Sequence, residues 1–360
     1  MPADPRIEQY ARLLVERCVD VQPGWQVLVG SQPLGRPLVD EVCRQVAGRG
    51  AYALLRLGFG MSGGSDAWIN EAPEELLREV PSIDAYAFEN MDCNIFIMAP
   101  ENTRDGADVP TERMQMLQAA RQPYIEPFMS HKKAWVGCQW PTQALAQDAG
   151  MTLPQFEEFL YGAVLIDWDA LEQEMQKIAD RFDAADEVRI VGDETDLTFS
   201  LAGRQGLVSG IGPNMPSGEV FYAPVEDSAK GVVTFSEYPA YYHGRDVNGA
   251  RLRFEDGVAV EITADSNQDF LREMLSTDDG APRLGEFGIG CNPGIQRHMR
   301  NTLFDEKIEG TIHLAMGMAY PVVGGTNQSA IHWDMVKDLR QGGEIFLDGE
   351  VVQRDGEWLF

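Results

Sequence analysis

The sequence predicts a protein in two parts: an α/β N-terminal domain built on a parallel sheet, followed by a β-rich α+β C-terminal domain. Three observations predict it. The first half alternates helical and strand-like apolar patterns, the second half shows short alternating segments broken by Gly and Asp, and the change falls near Asp183–Asp186. The expected domains are therefore residues 1–185 and 186–360. A chain of 360 residues is long enough to give each domain a core of its own.

Each element has its own signal. Ile7, Tyr10, Ala11, Leu14 and Cys18 recur at three- and four-residue spacing, as the apolar face of a helix does. Pro23-Gly24 breaks the chain ahead of Val27-Leu28-Val29, a short buried strand. An amphipathic run from Pro37 to Ala47 ends at Gly48 and Gly50, and Tyr52 to Leu57 reads as the next strand. Asp84-Ala85-Tyr86 and Asn94 to Met98 read as two more. Strands alternating with helices imply βαβ units around a parallel sheet. Helical stretches at 153–159 and 168–181 close this half. Beyond the change, residues 188–191, 197–201 and 231–235 read as strands. Glu255-Asp256-Gly257 reads as a tight turn inside a hairpin from Arg251 to Thr263. One helix is expected over residues 268–274.

Composition narrows the function. The chain carries 57 acidic against 29 basic side chains, a formal net charge of -28. A nucleic-acid binder needs clustered Lys and Arg to neutralise phosphates, and an anionic membrane surface repels such a chain, so neither partner is expected. Cation binding is compatible with it. The five cysteines are far apart and form no CxxC pair, which reads as reduced thiols of a cytoplasmic protein rather than a zinc ribbon or redox site. No apolar run approaches the roughly 20 residues that span a bilayer.

The polar residues of interest cluster in the second half. In His332-x-Asp334, two side chains two residues apart project from the same face of a strand and can reach one metal ion. His313 lies in the apolar run Thr311-Ile312-His313-Leu314-Ala315-Met316-Gly317, where an unpaired ring is costly. A single such histidine reads as a satisfied core residue. Two with an aspartate are the usual ligand types of catalytic zinc or iron. Glu219, Glu286 and Glu306 add to the set, each of which, taken alone, also fits a solvated loop acid. Glu286 fits that least, because Leu284-Gly285 and Phe287-Gly288-Ile289 leave it almost no polar company. Two divalent ions would balance the four charges of Glu219, Glu286, Glu306 and Asp334, with His313 and His332 as neutral ligands. Without metal, four packed carboxylates repel one another.

Taken together, Gly218-Glu219-Val220-Phe221, Leu284-Gly285-Glu286, Asn301 to Glu306, His313 to Tyr320 and Ile331-His332-Trp333-Asp334 resemble the M29 metallo-aminopeptidases. The opening, Tyr10 to Leu14 with Val21-Gln22-Pro23-Gly24, also resembles that family's. The likeness runs over essentially the whole chain. It implies an α/β N-domain, a β-rich catalytic C-domain, a homodimer and a centre of two divalent ions (zinc, cobalt or manganese). By motif the ligands would be Glu219, Glu286, Glu306, His313, His332 and Asp334, with Tyr320 beside them. This chain departs from the pattern by extra residues, Lys307 to Ile312, before His313. Glu309 is nearer to His313, yet Glu306 matches by motif and is preferred as the third glutamate.

The expected reaction is hydrolysis of the N-terminal peptide bond of short peptides by a metal-activated water. Glu286 or Glu219 would bridge metals or take the water proton, and Tyr320 would donate to the oxyanion. The alternative is a ring-cleaving dioxygenase of the dihydroxypyridine type, in which His313, His332 and Asp334 hold one Fe(II). A non-catalytic relative is the third reading. Other motifs carry less. Gly58-Phe59-Gly60-Met61-Ser62-Gly63 has dinucleotide spacing, but Ser65 to Trp68 opens no clear helix and Pro73 interrupts the chain soon after, so a flexible loop is expected. His131-Lys132-Lys133 reads as a solvated basic cluster, His243 as a loop residue, and His298, near Arg297 and Arg300, as part of a positive surface or dimer contact.

Overall fold

The computed structural model describes residues 4–59, 65–130 and 132–360. Residues 60–63 of the glycine-rich segment and His131 lie outside them. Contacts divide the chain into two compact units, Met1–Leu165 with Ile211–Pro216, and Ile166–Gly210 with Ser217–Phe360. The composition change at 183–186 falls after the helix Trp168–Asp183 rather than before it. That helix buries Leu171, Met175, Ile178 and Phe182 within the second unit.

The first unit holds a five-stranded sheet in the order Tyr52–Leu57, Gln26–Ser31, Cys93–Met98, Ala134–Gln139, Asn214–Met215, parallel throughout. The helix Pro5–Arg12 starts at Asp4, whose carboxylate accepts the Arg6 N–H at 2.9 Å. It continues as a π-helical stretch, Leu13–Cys18, and buries Tyr10, Ala11 and Leu14 of the face read from the spacing, with Val15 added and Ile7 and Cys18 half-buried. Helix Arg36–Gly48 buries Leu38, Val39, Val42 and Val46.

Three places differ from the sequence reading. Asp84-Ala85-Tyr86 is not a strand but part of the helix Ser82–Asn90, entered from Pro81. Three residues cannot separate a period of 2 from one of 3.6, and Ile83 and Tyr86 stay exposed. A six-residue helix, Asp66–Glu71, does open after the glycine-rich segment, with Ser65 Oγ accepting the Trp68 N–H, and it ends before Pro73. The 19-residue helix Thr111–Met129 was concealed by Pro123 and Pro127 inside it, residues that ordinarily interrupt helices.

The second unit holds two larger antiparallel sheets. The eight-stranded one runs Val258–Thr263, Ala250–Glu255, Lys230–Phe235, Thr195–Ser200, Glu187–Gly192, Glu344–Leu347, Glu350–Arg354, Glu357–Trp358. Its expected hairpin turns at Asp256 and Gly257, both at positive φ (48° and 77°), as a two-residue turn of this hand requires. The five-stranded sheet, here called the site sheet, runs His332–Asp338, Thr311–Gly317, Leu284–Gly290, Glu219–Tyr222, Leu207–Ser209. One face of the site sheet is apolar apart from the buried Lys337 on its edge strand. Tyr222 and Phe287 pack on Phe182 of the helix Trp168–Asp183 at 5.9 and 5.8 Å between ring centres, and Phe199 meets Phe287 at 5.1 Å. No helix among the described residues is long and apolar enough to cross a membrane.

Candidate metal centre

The register of the site sheet decides where its polar residues meet. Gly290 pairs with Glu219, Gly288 with Phe221 and with His313, Glu286 with Ala315, Ala315 with Asp334, and Gly317 with His332. Directly opposed residues of antiparallel strands share a face, and so do residues two apart along a strand. Glu219, Glu286, His313, His332 and Asp334 therefore all project from the face opposite Phe287. Between them stand Gly288, Gly290, Ala315 and Gly317, which leave room. At Gly288 the need is specific, since a Cβ would lie 2.0 Å from the His313 ring.

The side chains converge as two triads that share Glu286. Ligand atoms of Glu219, Glu286 and His313 lie within 4.8 Å of one another, and so do those of Glu286, His332 and Asp334. His313 Nε2 is 3.2 Å from Glu286 Oε1 and 3.7 Å from Glu219 Oε2. His332 Nε2 is 3.3 Å from Glu286 Oε2 and 3.5 Å from Asp334 Oδ1. His313, Glu219 and Glu286 are buried.

Hydrogen bonding at the far side of each ring sets what faces the carboxylates. His313 Nδ1 lies 3.2 Å from the backbone carbonyl of Glu306, and His332 Nδ1 lies 2.8 Å from that of Met318. A carbonyl only accepts, so Nδ1 carries a proton, and a neutral ring turns an Nε2 lone pair toward Glu286. Lone pair against carboxylate is repulsive unless a proton or a metal ion stands between. In the metal-free chain, protons take that place. Burial lowers the His313 pKa, but the Glu286 hydrogen bond and the charges of Glu286, Glu219 and Glu306 outweigh it and lift it to about 9. His332 rises to about 12, the nearby carboxylates of Asp334 and Glu286 overcoming burial. Among the described residues, two buried oxygens, Glu219 Oε2 and Asp334 Oδ1, one in each triad, have no hydrogen-bond partner.

Glu306 stands beside the triads and in neither. Burial holds its pKa up at about 8, against the pull of Lys307. The Asp334 charge acts on it, and it receives the Lys307 ammonium. Glu309, the other contender, is exposed, and its carboxylate accepts from Gln296 at 3.0 Å. The geometry thus brings Glu306, not Glu309, to the cluster. Tyr320 sits with its ring centre 5.0 Å from that of His332 and 5.9 Å from that of Phe221. The residue is 38% exposed, and partial desolvation with the charges of Glu286, Asp334 and Glu306 pushes its phenol up to about 12, so it is a proton donor at neutral pH.

Sequence reasoning missed Lys307. It is 1% exposed, and its Nζ lies 3.2 Å from Glu219 Oε1. The available signal was its place directly after Glu306, in the segment where the chain departs from the family pattern. His298 is not on a positive surface. Its ring stacks on Tyr238 at 4.9 Å, and its Nε2 is 3.2 Å from the buried Asp305. Burial and Arg300 lower its pKa to about 4, so it is neutral. His243 occupies an exposed turn against the Tyr242 ring.

A family model described as thermophilic metalloprotease (M29) matches residues 3–358. The chain belongs to this family. It is a metal-dependent hydrolase of the M29 type. Among curated proteins it is 28% identical to Aminopeptidase 2 of Geobacillus stearothermophilus, over 99% of this chain and 98% of that one. It is equally 28% identical to Aminopeptidase AmpS of Bacillus subtilis, with the same coverage. Its fold matches that of wild-type AmpT from Thermus thermophilus with a TM-score of 0.84, at 23% identity and 99% coverage of both chains. The dioxygenase alternative finds no support among these proteins.

Proposed function

We propose that this M29 protein is an aminopeptidase of short peptides whose site sheet holds two divalent ions of zinc, cobalt or manganese. One observation carries the reading: two triads on one sheet face share Glu286, and each contains an orphaned carboxylate oxygen and an imidazole Nε2 aimed inward. That donor set suits a dication in each triad better than it suits two extra protons. Glu219, Glu286 and His313 would hold one ion and Glu286, His332 and Asp334 the other, with Glu306 the sixth member of the set at the edge.

Bound ions would supply a polarised scissile carbonyl and a water acidic enough to give hydroxide near neutral pH. The protein's own groups do the rest. Glu286, or Glu219 beside it, receives the proton of the attacking water at a carboxylate oxygen. The Tyr320 hydroxyl donates to the oxyanion of the tetrahedral intermediate. The α-amino group of the substrate is a cationic donor, and the carboxylates of this face are the acceptors it meets, which favours cleavage at a free N-terminus. Homodimer formation and a cytoplasmic setting complete the proposal. They rest on the family resemblance and on five free cysteines.

The test is hydrolysis of leucyl and arginyl amides before and after chelation. Chelated protein should lose cleavage and regain it with zinc, cobalt or manganese. Cleavage that survives complete removal of metal, or fully loaded protein that cleaves no aminoacyl amide, would overturn the reading.

A further inference from the structure

Lys307 adds a charge that a balance of four carboxylates against two dications leaves out. Its Nζ lies 3.2 Å from Glu219 Oε1 and hydrogen-bonds Glu306 Oε2, so it touches one member of the first triad and the acid that borders the second. It is buried away from solvent, and its counter-charges are the carboxylates of the centre itself. We propose that Lys307 is a built-in third cation of the centre and that, because of it, this protein holds one divalent ion tightly and the second weakly.

The inference rests on the metal-centre reading and goes beyond it. With both histidines neutral and all four acids ionised, Glu219, Glu286, Glu306 and Asp334 would carry four negative charges, and Lys307 would reduce them to three. The first dication then leaves one negative charge to attract the second, where without Lys307 it would leave two. Two further effects act in the same direction. An ion in the Glu219, Glu286 and His313 triad would share the Glu219 carboxylate with an ammonium 3.2 Å from its Oε1, and two cations on one buried carboxylate repel each other. Lys307 also occupies Glu306, so that acid is less free to add a ligand.

The opposite role for Lys307 is conceivable on the same geometry. By holding Oε1 it would orient Glu219 Oε2 toward the ion and strengthen binding. The two roles predict opposite signs, which makes the experiment decisive.

Equilibrium dialysis of the full-length, chelator-stripped chain against buffered free Zn²⁺ would be compared for wild type, Lys307→Met and Lys337→Met. Methionine keeps the length of the stem and removes the charge. Lys337 is the control, a buried lysine of the same sheet held by Glu237 at 2.6 Å. On the face opposite the triads, its removal should leave zinc binding unchanged. The expected result is two separated binding steps in wild type, and at least about a tenfold narrowing of that separation in Lys307→Met, by tightening of the second step. Equal tight steps in wild type, an unchanged separation in Lys307→Met, or weaker binding in that variant would overturn the inference and leave the metal centre standing. No zinc bound by any of the three proteins would overturn the metal-centre reading as well. If Lys307→Met does not fold without metal, it can be prepared in Zn²⁺ and passed through metal-free gel filtration. Two ions retained per chain, against one in wild type, would support the inference, and one in each would overturn it.

Discussion

The parallel sheet of the first unit and the site sheet of the second both have five strands, yet their surfaces are used in different ways. In the parallel sheet the inner strands are buried through Val27, Val29, Ile95, Ile97 and Val136, while the edge strand Tyr52–Leu57 leaves Tyr52 and Leu55 more than half exposed. In the site sheet the strands Leu284–Gly290 and Thr311–Gly317 are buried at every residue, on both faces. One face is a packed apolar layer, and the other carries the acids and histidines. A buried face that is not apolar needs its charges answered from within, and here they answer one another. The candidate site is thus concentrated where burial is most complete, and the exposed apolar side chains of the edge strand lie elsewhere.

That contrast can be broken or sharpened by substitution. The largest effect is expected at Glu286, the member common to both triads. Glu286→Gln should lower cleavage of aminoacyl amides at least about a thousandfold and reduce bound metal, read by kinetics and elemental analysis, because one change weakens both triads at once. A variant that kept near-normal metal and activity would show that the triads are not the centre. Beneath the same sheet, Phe287→Ala should cost about 3–5 kcal/mol in denaturant unfolding, since the ring packs on Phe182, Phe199 and Tyr222. Leu54→Ala on the edge strand of the other sheet should cost less than about 1 kcal/mol, because that side chain is already 40% exposed. Equal costs would remove the contrast between the sheets. On the polar face of the site sheet, Gly288→Ala adds a single methyl group. It should displace the His313 ring and weaken metal binding about 10- to 100-fold with the fold retained, as circular dichroism and a zinc titration would show.

The parts of this arrangement that repeat with a short period were legible in the sequence. His332-x-Asp334 declared a shared face, and Glu286 stood out by its apolar company. The helix Pro5–Arg12 and the hairpin turn at Asp256-Gly257 were likewise readable from spacing and from turn chemistry. Other parts needed long-range pairing. Nothing in Glu219 or Glu286 alone states that Gly290 pairs with one and Ala315 with the other, so the convergence of the triads is a property of register. Asp84 to Tyr86 was too short to declare its period, and Pro123 and Pro127 masked the helix around them. Lys307 was overlooked because a lysine among acids ordinarily marks a solvated face, and here it is buried with two of them.

The two imidazoles are aimed by main-chain carbonyls, those of Glu306 and Met318, rather than by side chains. Every residue type has a backbone carbonyl, so replacing the side chain at either position removes no acceptor. Ring orientation in this centre is therefore robust to point mutation at the residues that fix it. It is vulnerable instead to changes of chain path: an inserted or deleted residue between the acceptor and its histidine would rotate a ring while every side chain of the centre stayed in the sequence.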